Sequence, residues 1–432
     1  MNFELNRKFR ENKILEIREN QDPSRTGLKL SIRPGEKFNA YKIPLEFLVY
    51  NHLNDRFASQ RMEFTSTGID LSAGDLNTMK MIEKIIWESN IQSNKQTLKD
   101  IAKNGQNVHG VITKDGRVID GNRRLSILRK LFYDTPKEFE NTNKMQYKYF
   151  EAIVLSDDIS DKEMVILETQ LQMGEDEKVD YNAIEKYLKI NKLAENGVDY
   201  KDIYGMIKSI KNVKDAQRMH RVYKLMSEYL SYIEAENKFS LIKRFEDHFI
   251  NLEKVLYDIE LKKYNSDWNP KITDSTDLKM IAFDYIREGH EGKDFRNLVG
   301  TQKSKKGAFA HKSVWYDFKN RHTTNVIEIN EKLQKFDYKD IKERESIWKK
   351  ESKRKFVNNL ERAKDQVRDI KYVQEPYKLI SGALGKMRMV KPEVIKSTYK
   401  TDEDYNLINE LNELIEISSN LLESINSDKN QT

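Results

Sequence analysis

Five consecutive residues, Asp120-Gly121-Asn122-Arg123-Arg124, bring together the groups a phosphate site needs. They sit where a β-rich run, Val108 to Asp120, gives way to a run with Leu125, Leu128 and Leu131 on one helical face. A helix start presents unpaired backbone N–H groups and the positive end of the helix dipole, and both favour an anion. Gly121 permits a sharp turn and a close approach of backbone to ligand. Arg123 and Arg124 add fixed charge in a forked geometry that matches phosphate oxygens. The competing reading is a surface turn whose arginines are solvated, and the five residues alone leave both open. Within the β-rich run, Lys114-Asp115-Gly116 predicts a tight hairpin with both central turn residues at positive φ.

Little other chemistry is on offer. The chain has no cysteine, which removes disulfides, thiolate metal sites and cysteine nucleophiles. Its 7 histidines are scattered, which argues against a zinc site. No His-Glu-x-x-His, Walker loop or serine-triad pattern is present. The catalytic set that remains is Arg123, Arg124, Glu168 and Asp120, with Arg56 and His109. Arginines stabilise charge on a triphosphate, and Glu168 with Gln172 can hold Mg²⁺ directly or through water. Such a set suits slow nucleotide hydrolysis or nucleotide sensing better than fast catalysis.

The corner and its flanks resemble the phosphate-binding box of the ParB/sulfiredoxin-like fold, where strand, turn, strand, a Gly-x-Arg-Arg box and helix follow in order. Ile43 to Glu46 and Asn54 to Phe57 resemble the family's entry strand and its Asn-Pro-Arg segment, with Asp55 in place of the proline. Leu98 to Gly105 is similar to the helix that ends in glycine before the hairpin, and Tyr149 to Leu155 to the following strand. The predicted helix from Asp161 to Met173 ends in Glu168-Thr169-Gln170-Leu171-Gln172. That end is similar to the segment that helps partition proteins hold nucleotide phosphates and magnesium. Thr169, Leu171 and Gln172 depart from the asparagine, glutamine and arginine of those proteins, so cytidine specificity does not carry over. The lack of cysteine excludes sulfiredoxin chemistry. The resemblance runs from about Tyr41 to about Leu225. It implies a nucleoside triphosphate (CTP or ATP) with Mg²⁺, held by Asp120, Gly121, Asn122, Arg123, Arg124, Arg56, His109 and Gln172. Glu168 would be the metal ligand, and Glu168 and Arg123 the catalytic groups.

The elements that must position these residues are spread over a long chain. Its 432 residues are 34% charged and 38% hydrophobic, with a formal net charge of +6. Such a length predicts roughly two to three domains with a sizeable core. The mild positive charge permits nucleic-acid contact without demanding it. No secretory signal and no apolar run of the ~20 residues that span a bilayer is visible, which predicts a cytoplasmic protein without membrane contact. Periodicity and punctuation divide the chain into an N-terminal arm (1–40), an α/β nucleotide-binding domain (41–178), a helix-turn-helix region (179–232) and a mostly helical C-terminal domain (233–432). The predicted fold class is α+β: a ParB/sulfiredoxin-like N-terminal domain, then a helix-turn-helix region, then helices. Residues 25–37 read as an arm or an edge hairpin, and 265–311 as a less regular zone.

The helix-turn-helix candidate consists of Tyr200 to Lys208, a turn at Asn212, and Lys214 to Met226, with Ile203 and Ile207 facing the core. Its second helix carries Lys214, Gln217, Arg218, Arg221 and Lys224, long donors that reach phosphates, and Gln217 suits an adenine edge. The alternative is a helical hairpin with solvated basic residues. In the partition proteins a DNA-reading helix-turn-helix follows the nucleotide domain at this place. His220 reads as a surface or capping histidine. Residues 302–312 read as a solvated basic loop, Trp315, Tyr316 and Phe318 as core, and Lys349 to Arg354 as a solvated helix face. Tyr405 to Ile425 carries an apolar stripe that either packs on its own chain or forms a homodimer seam. Ser427 to Thr432 reads as a frayed tail.

Three function classes follow. The preferred one is a nucleotide-binding, Mg²⁺-dependent, ParB-like DNA-binding protein of a bacterial, plasmid or mobile-element system. The second is an enzyme on the same fold: a nucleoside triphosphatase, a phosphotransferase or a nuclease effector, for example in phage defence. Asp157, Asp158 and Asp161 are the acidic hint of a nuclease. The third is a nucleotide-sensing interaction protein whose helical tail recruits a partner. Fold alone does not choose among them.

Overall fold

The structure is a computed structural model that describes residues 6–30, 35–52, 54, 58–66, 75–155, 159–171, 183–300, 307–336, 341–393 and 404–429. Short β-rich runs in the first third of the chain form strands β1 (Arg25–Leu28), β2 (Phe38–Pro44), β3 (Val49–Tyr50), β4 (Gly110–Ile112), β5 (Arg117–Asp120) and β6 (Tyr149–Val154). They make one six-stranded mixed sheet in the order β1-β2-β6-β4-β5-β3. The pairs β4/β6 and β3/β5 are parallel and the remaining neighbours antiparallel. Residues 25–28 are therefore the edge strand of a hairpin with β2, as one of the two readings of that segment expected.

Side chains alternate between two cores, as the period of a strand requires. Ile112, Val118 and Ala152 face one core, and Val111, Ile119 and Ile153 face the other. Both faces are covered. Helices α1 (Arg7–Asn20), α3 (Leu76–Ser89), α4 (Ile91–Asn104) and α5 (Asn122–Tyr133) pack on the first face, and α2 (Ala58–Ser66) precedes α3 in the chain. Helix α6 (Asp161–Thr169) covers the second face through Leu167. Caps mark the helix starts: Asp75 accepts from the Thr78 N–H at 2.8 Å, and Asn90 from the Ser93 N–H at 2.9 Å. Helix α4 stops at Gly105, whose φ of +72° suits glycine.

The reversal at Lys114-Asp115-Gly116 forms, but its geometry differs from the expected one. The Gly116 N–H donates to the Thr113 carbonyl and the Thr113 N–H to the Arg117 carbonyl, each at 2.9 Å. Of the turn residues only Gly116 has positive φ, +82°. This is the longer hairpin loop, a turn closed by a glycine bulge, rather than a two-residue loop. The Asp115 side chain explains the choice. It is buried, accepts from the Thr113 hydroxyl, and pairs with Arg7 at 2.9 Å, while Arg10 donates to the Asp115 carbonyl at 3.0 Å. The turn is thus a docking point for α1.

The remainder is helical: α7 (Ala183–Glu195), α8 (Tyr200–Met206), α9 (Val213–Tyr232), α10 (Glu246–Glu260), α11 (Ile272–Glu288), α12 (Gly292–Val299), α13 (Lys312–Leu333), α14 (Ile341–Arg388) and α15 (Asp404–Lys429). The zone 265–311, expected to be less regular, holds α11 and α12. Helix α11 buries Asp274, Asp284 and Glu288 and exposes Ile272 and Met280, so polar and apolar residues do not sort cleanly onto its outer and inner faces. Trp315 and Phe318 are core as expected, but Tyr316 is 39% exposed because it lies on the outer side of α13. Met1–Leu360 is one compact unit and Glu361–Thr432 a second. In the second unit many apolar side chains are exposed, among them Val373, Tyr377, Ile380 and Leu384 on α14 and Leu414, Ile415 and Leu421 on α15. No helix among the described residues is long and apolar enough to cross a membrane.

The Asp115 clamp makes a pH-dependent prediction. Burial opposes ionisation of this carboxyl, but the Thr113 hydroxyl and the Arg7, Arg117 and Arg10 guanidinium groups outweigh it and hold its pKa below the usual range. A depressed folded-state pKa gives stability that is present above the unfolded value, about 3.9, and is lost as pH falls through the folded value. Asp115→Ala is expected to cost about 1–3 kcal/mol at pH 7. In urea denaturation the gap between wild type and variant should narrow below the ordinary aspartate range; a gap that stays constant into acid would refute the clamp.

Candidate functional site

The corner at 120–124 forms where β5 ends. Gly121 takes φ +100° and becomes the residue preceding α5, and the Leu125 N–H donates back to its carbonyl at 2.8 Å. Among the described residues no side chain caps this helix start, and its first turn carries no acidic residue. The amides of Asn122, Arg123 and Arg124 therefore begin a helix whose positive end is not neutralised from within.

Gly121 has a second reason to be glycine, which the sequence did not announce. A Cβ there would lie 2.7 Å from Cζ of Phe150, and a Cβ at Gly110 would lie 2.3 Å from the same atom. The fully buried Phe150 ring on β6 sits against both glycines. Asn122 also turns inward. Its Nδ2 donates to the Val118 carbonyl at 2.8 Å and its Oδ1 accepts from the Asn51 N–H at 3.2 Å. This side chain ties the end of β3 to the corner.

The two arginines diverge. Arg124 bonds Asp120 at 2.6 Å, the His109 carbonyl at 2.9 Å and the Val108 carbonyl. It is a brace across the start of β4, and Asp120 is its counter-charge. Arg123 reaches towards α4, with Nη1 3.3 Å from the Ser93 hydroxyl. His109 stands beside the brace. Burial first, then Arg124 and Arg25, lower its pKa, against weaker opposition from Glu151 and Asp120. The mouth of the corner is therefore a place where an added positive charge is disfavoured. Arg25 itself pairs with Glu151 at 2.8 Å.

Glu168 has a different setting from the expected one. Its carboxylate is buried and lies 3.6 Å from both Lys189 and Lys192 of α7. Two ammonium groups at a buried carboxylate supply the charge that a cation would supply, so this carboxylate does not fit a metal ion. Among the described residues no three His, Asp or Glu side chains are grouped as a metal site. Arg56, Gln172, Asp157 and Asp158 lie outside the described residues, as does the basic segment 302–306.

The segment read as a helix-turn-helix candidate forms two helices, α8 and α9. Ile203 and Ile207 are buried, and Asn212 caps α9 by accepting from the Asp215 N–H at 2.9 Å. Two of the five expected DNA-contacting side chains are engaged within the protein. Arg218 pairs with Asp215 at 2.6 Å. Arg221 bonds the buried Glu253 at 2.6 Å and lies 3.9 Å from the centre of the Tyr257 ring. Lys214 and Lys224 are exposed and Gln217 half-buried. His220 is buried rather than superficial, bridging the Tyr200 hydroxyl at 2.7 Å and Asn191 at 3.1 Å. Sequence reasoning missed Ser93, Asn51, Phe150 and Glu253 as partners. Each is remote in sequence from the residue it supports, and no local pattern announces it.

Comparison of the chain with family models, curated proteins and solved structures found no match in any of the three.

Gly121 yields the test of the corner's architecture. Gly121→Ala combines a positive φ with a steric clash, so a loss of roughly 1–3 kcal/mol or more is expected in chemical denaturation. In a Phe150→Leu background the same substitution should cost less, because part of the clash is with the ring. An equal cost in both backgrounds would show that the backbone conformation alone demands glycine.

Proposed function

We propose that the start of α5 binds the phosphates of a nucleoside triphosphate, and that the protein is a nucleotide-responsive, ParB-like DNA-binding protein of the cytoplasm. The observation that carries this reading is the uncapped first turn of α5, entered through a left-handed Gly121, with one arginine braced beside it and a second on the α4 side. Backbone amides and a helix dipole favour a phosphate there, and guanidinium groups add charge and directed donors. The order of strand, turn, strand, box and helix supports the family resemblance.

The roles divide differently from the sequence expectation. Arg124 and Asp120 hold the corner's shape, and Arg123 is the phosphate clamp. Glu168 serves the α6–α7 packing as a buried counter-charge. Magnesium would come on the triphosphate oxygens, which commonly carry it with few protein ligands. The set favours binding and sensing over hydrolysis. For DNA, Lys214, Gln217 and Lys224 are the contacts of α9, since Arg218 and Arg221 are committed to carboxylates. A homodimer through α15 fits the exposed apolar stripe of that helix.

Calorimetric titration with each of the four ribonucleoside triphosphates, with and without Mg²⁺, tests the site. Wild type should bind at least one of them, and Arg123→Ala should weaken that binding by about tenfold or more, the effect of losing a charge-assisted contact of about 1.5–3 kcal/mol. The circular dichroism of the variant should be unchanged. Equal affinity in the variant, or no binding by wild type, would dismiss the site. For the DNA arm, Lys214→Ala should lower the slope of log K against log salt by about 1; an unchanged slope would remove α9 from the interface.

A further inference from the structure

A second concave site, which shares Lys224 with the α9 face proposed for DNA, opens between α9, α10 and α11. Its volume is about 690 Å³, within the range of roughly 300–1,000 Å³ typical of small-molecule sites. The walls are apolar: Leu225 from α9, Leu256 and Ile259 from α10, and Ile272 from the first turn of α11. Ile272 is 86% exposed, an apolar side chain left in water at the rim. At one side Arg221 is held by Glu253 at 2.6 Å and by the Tyr257 ring at 3.9 Å. The Glu253 side chain is only 4% exposed, so this group is fixed before any ligand arrives. Preorganised polar groups on an apolar wall are what orient a small ligand.

The charge of the cleft selects the ligand's sign. Two lining pairs are internally balanced, Arg221 with Glu253 and Lys279 with Glu228 at 2.7 Å. The lining charges left over are Lys224, Lys262 and Lys271 against Glu260, that is 3 − 1 = +2. We infer that this cleft binds a small amphipathic anion, its apolar or aromatic body against Leu225, Leu256 and Ile259 and its single acidic head towards Lys224 and Lys262. Such a ligand would cover apolar surface now open to water and place its charge where lining lysines outnumber carboxylates.

The test uses the full chain with two probes of the same body, 2-naphthoate as the anion and 2-naphthol as its neutral counterpart, titrated calorimetrically at pH 7. The naphthoate should saturate at one equivalent and bind more tightly than the naphthol. Lys224→Gln with Lys262→Gln should weaken the naphthoate by about tenfold, the sum of two exposed charge contacts, and leave the naphthol unchanged. Thr276→Trp, at an exposed position of α11 that lines the cleft, should abolish binding of both probes without altering the thermal melt. Absence of saturable binding, or binding indifferent to the lysine pair, would overturn the inference, as would an adventitious association insensitive to Thr276→Trp.

Discussion

One aromatic ring sets the geometry of the corner. Phe150, fully buried on the central strand β6, lies against Gly110 at the start of β4 and against Gly121 at the end of β5. A side chain at either glycine would collide with it. The ring therefore brings the two ends of the hairpin to one place, and α5 must begin there. Asn122 ties that start to β3, and Arg124 ties it to the carbonyl groups before β4. The first turn of α5 is held from three sides by contacts that leave its backbone amides outside the core hydrogen-bond pattern.

Much of the charge that sequence reading assigned to ligands is instead spent within the protein. Arg124 faces Asp120, Arg221 faces Glu253, and Glu168 faces Lys189 and Lys192. A half-buried charge is expensive without a partner, so these pairs are conditions of folding before they are opportunities for binding. The consequence for function is a division of labour: some basic residues shape the sites, and others, such as Lys214 and Lys224 of α9, are exposed.

Local grammar was readable where the physics is local. Asp115-Gly116 announced a reversal, Asn212 a turn, and the leucines of α5 a buried face, and each stands where it was expected; the helix end at Gly105 came only with the family resemblance. The exact hairpin loop was not readable, because it depends on Asp115 being recruited by Arg7 and Arg10, about a hundred residues away in sequence. Helix α11 was missed because carboxylates stand among its buried residues and Ile272 and Met280 among its exposed ones, which blurs the stripe, and α12 because it is only 8 residues long. Gly121 was read correctly as a turn glycine, and its packing against Phe150 was not foreseen, since that ring cannot be seen from position 121. The sheet order was likewise beyond reach of the sequence pattern: β6 inserts between β2 and β4, a non-local pairing that no turn signal encodes.

The central claim is that the amides beginning α5 receive a polyanion. The most direct measurement is a titration of the ¹⁵N-labelled full chain with inorganic tripolyphosphate, following the backbone amide resonances. The account predicts saturable shifts centred on Asn122, Arg123 and Arg124, with smaller ones at His109. Resonances of that turn that stay in place while others move, or that do not respond at all, would contradict it.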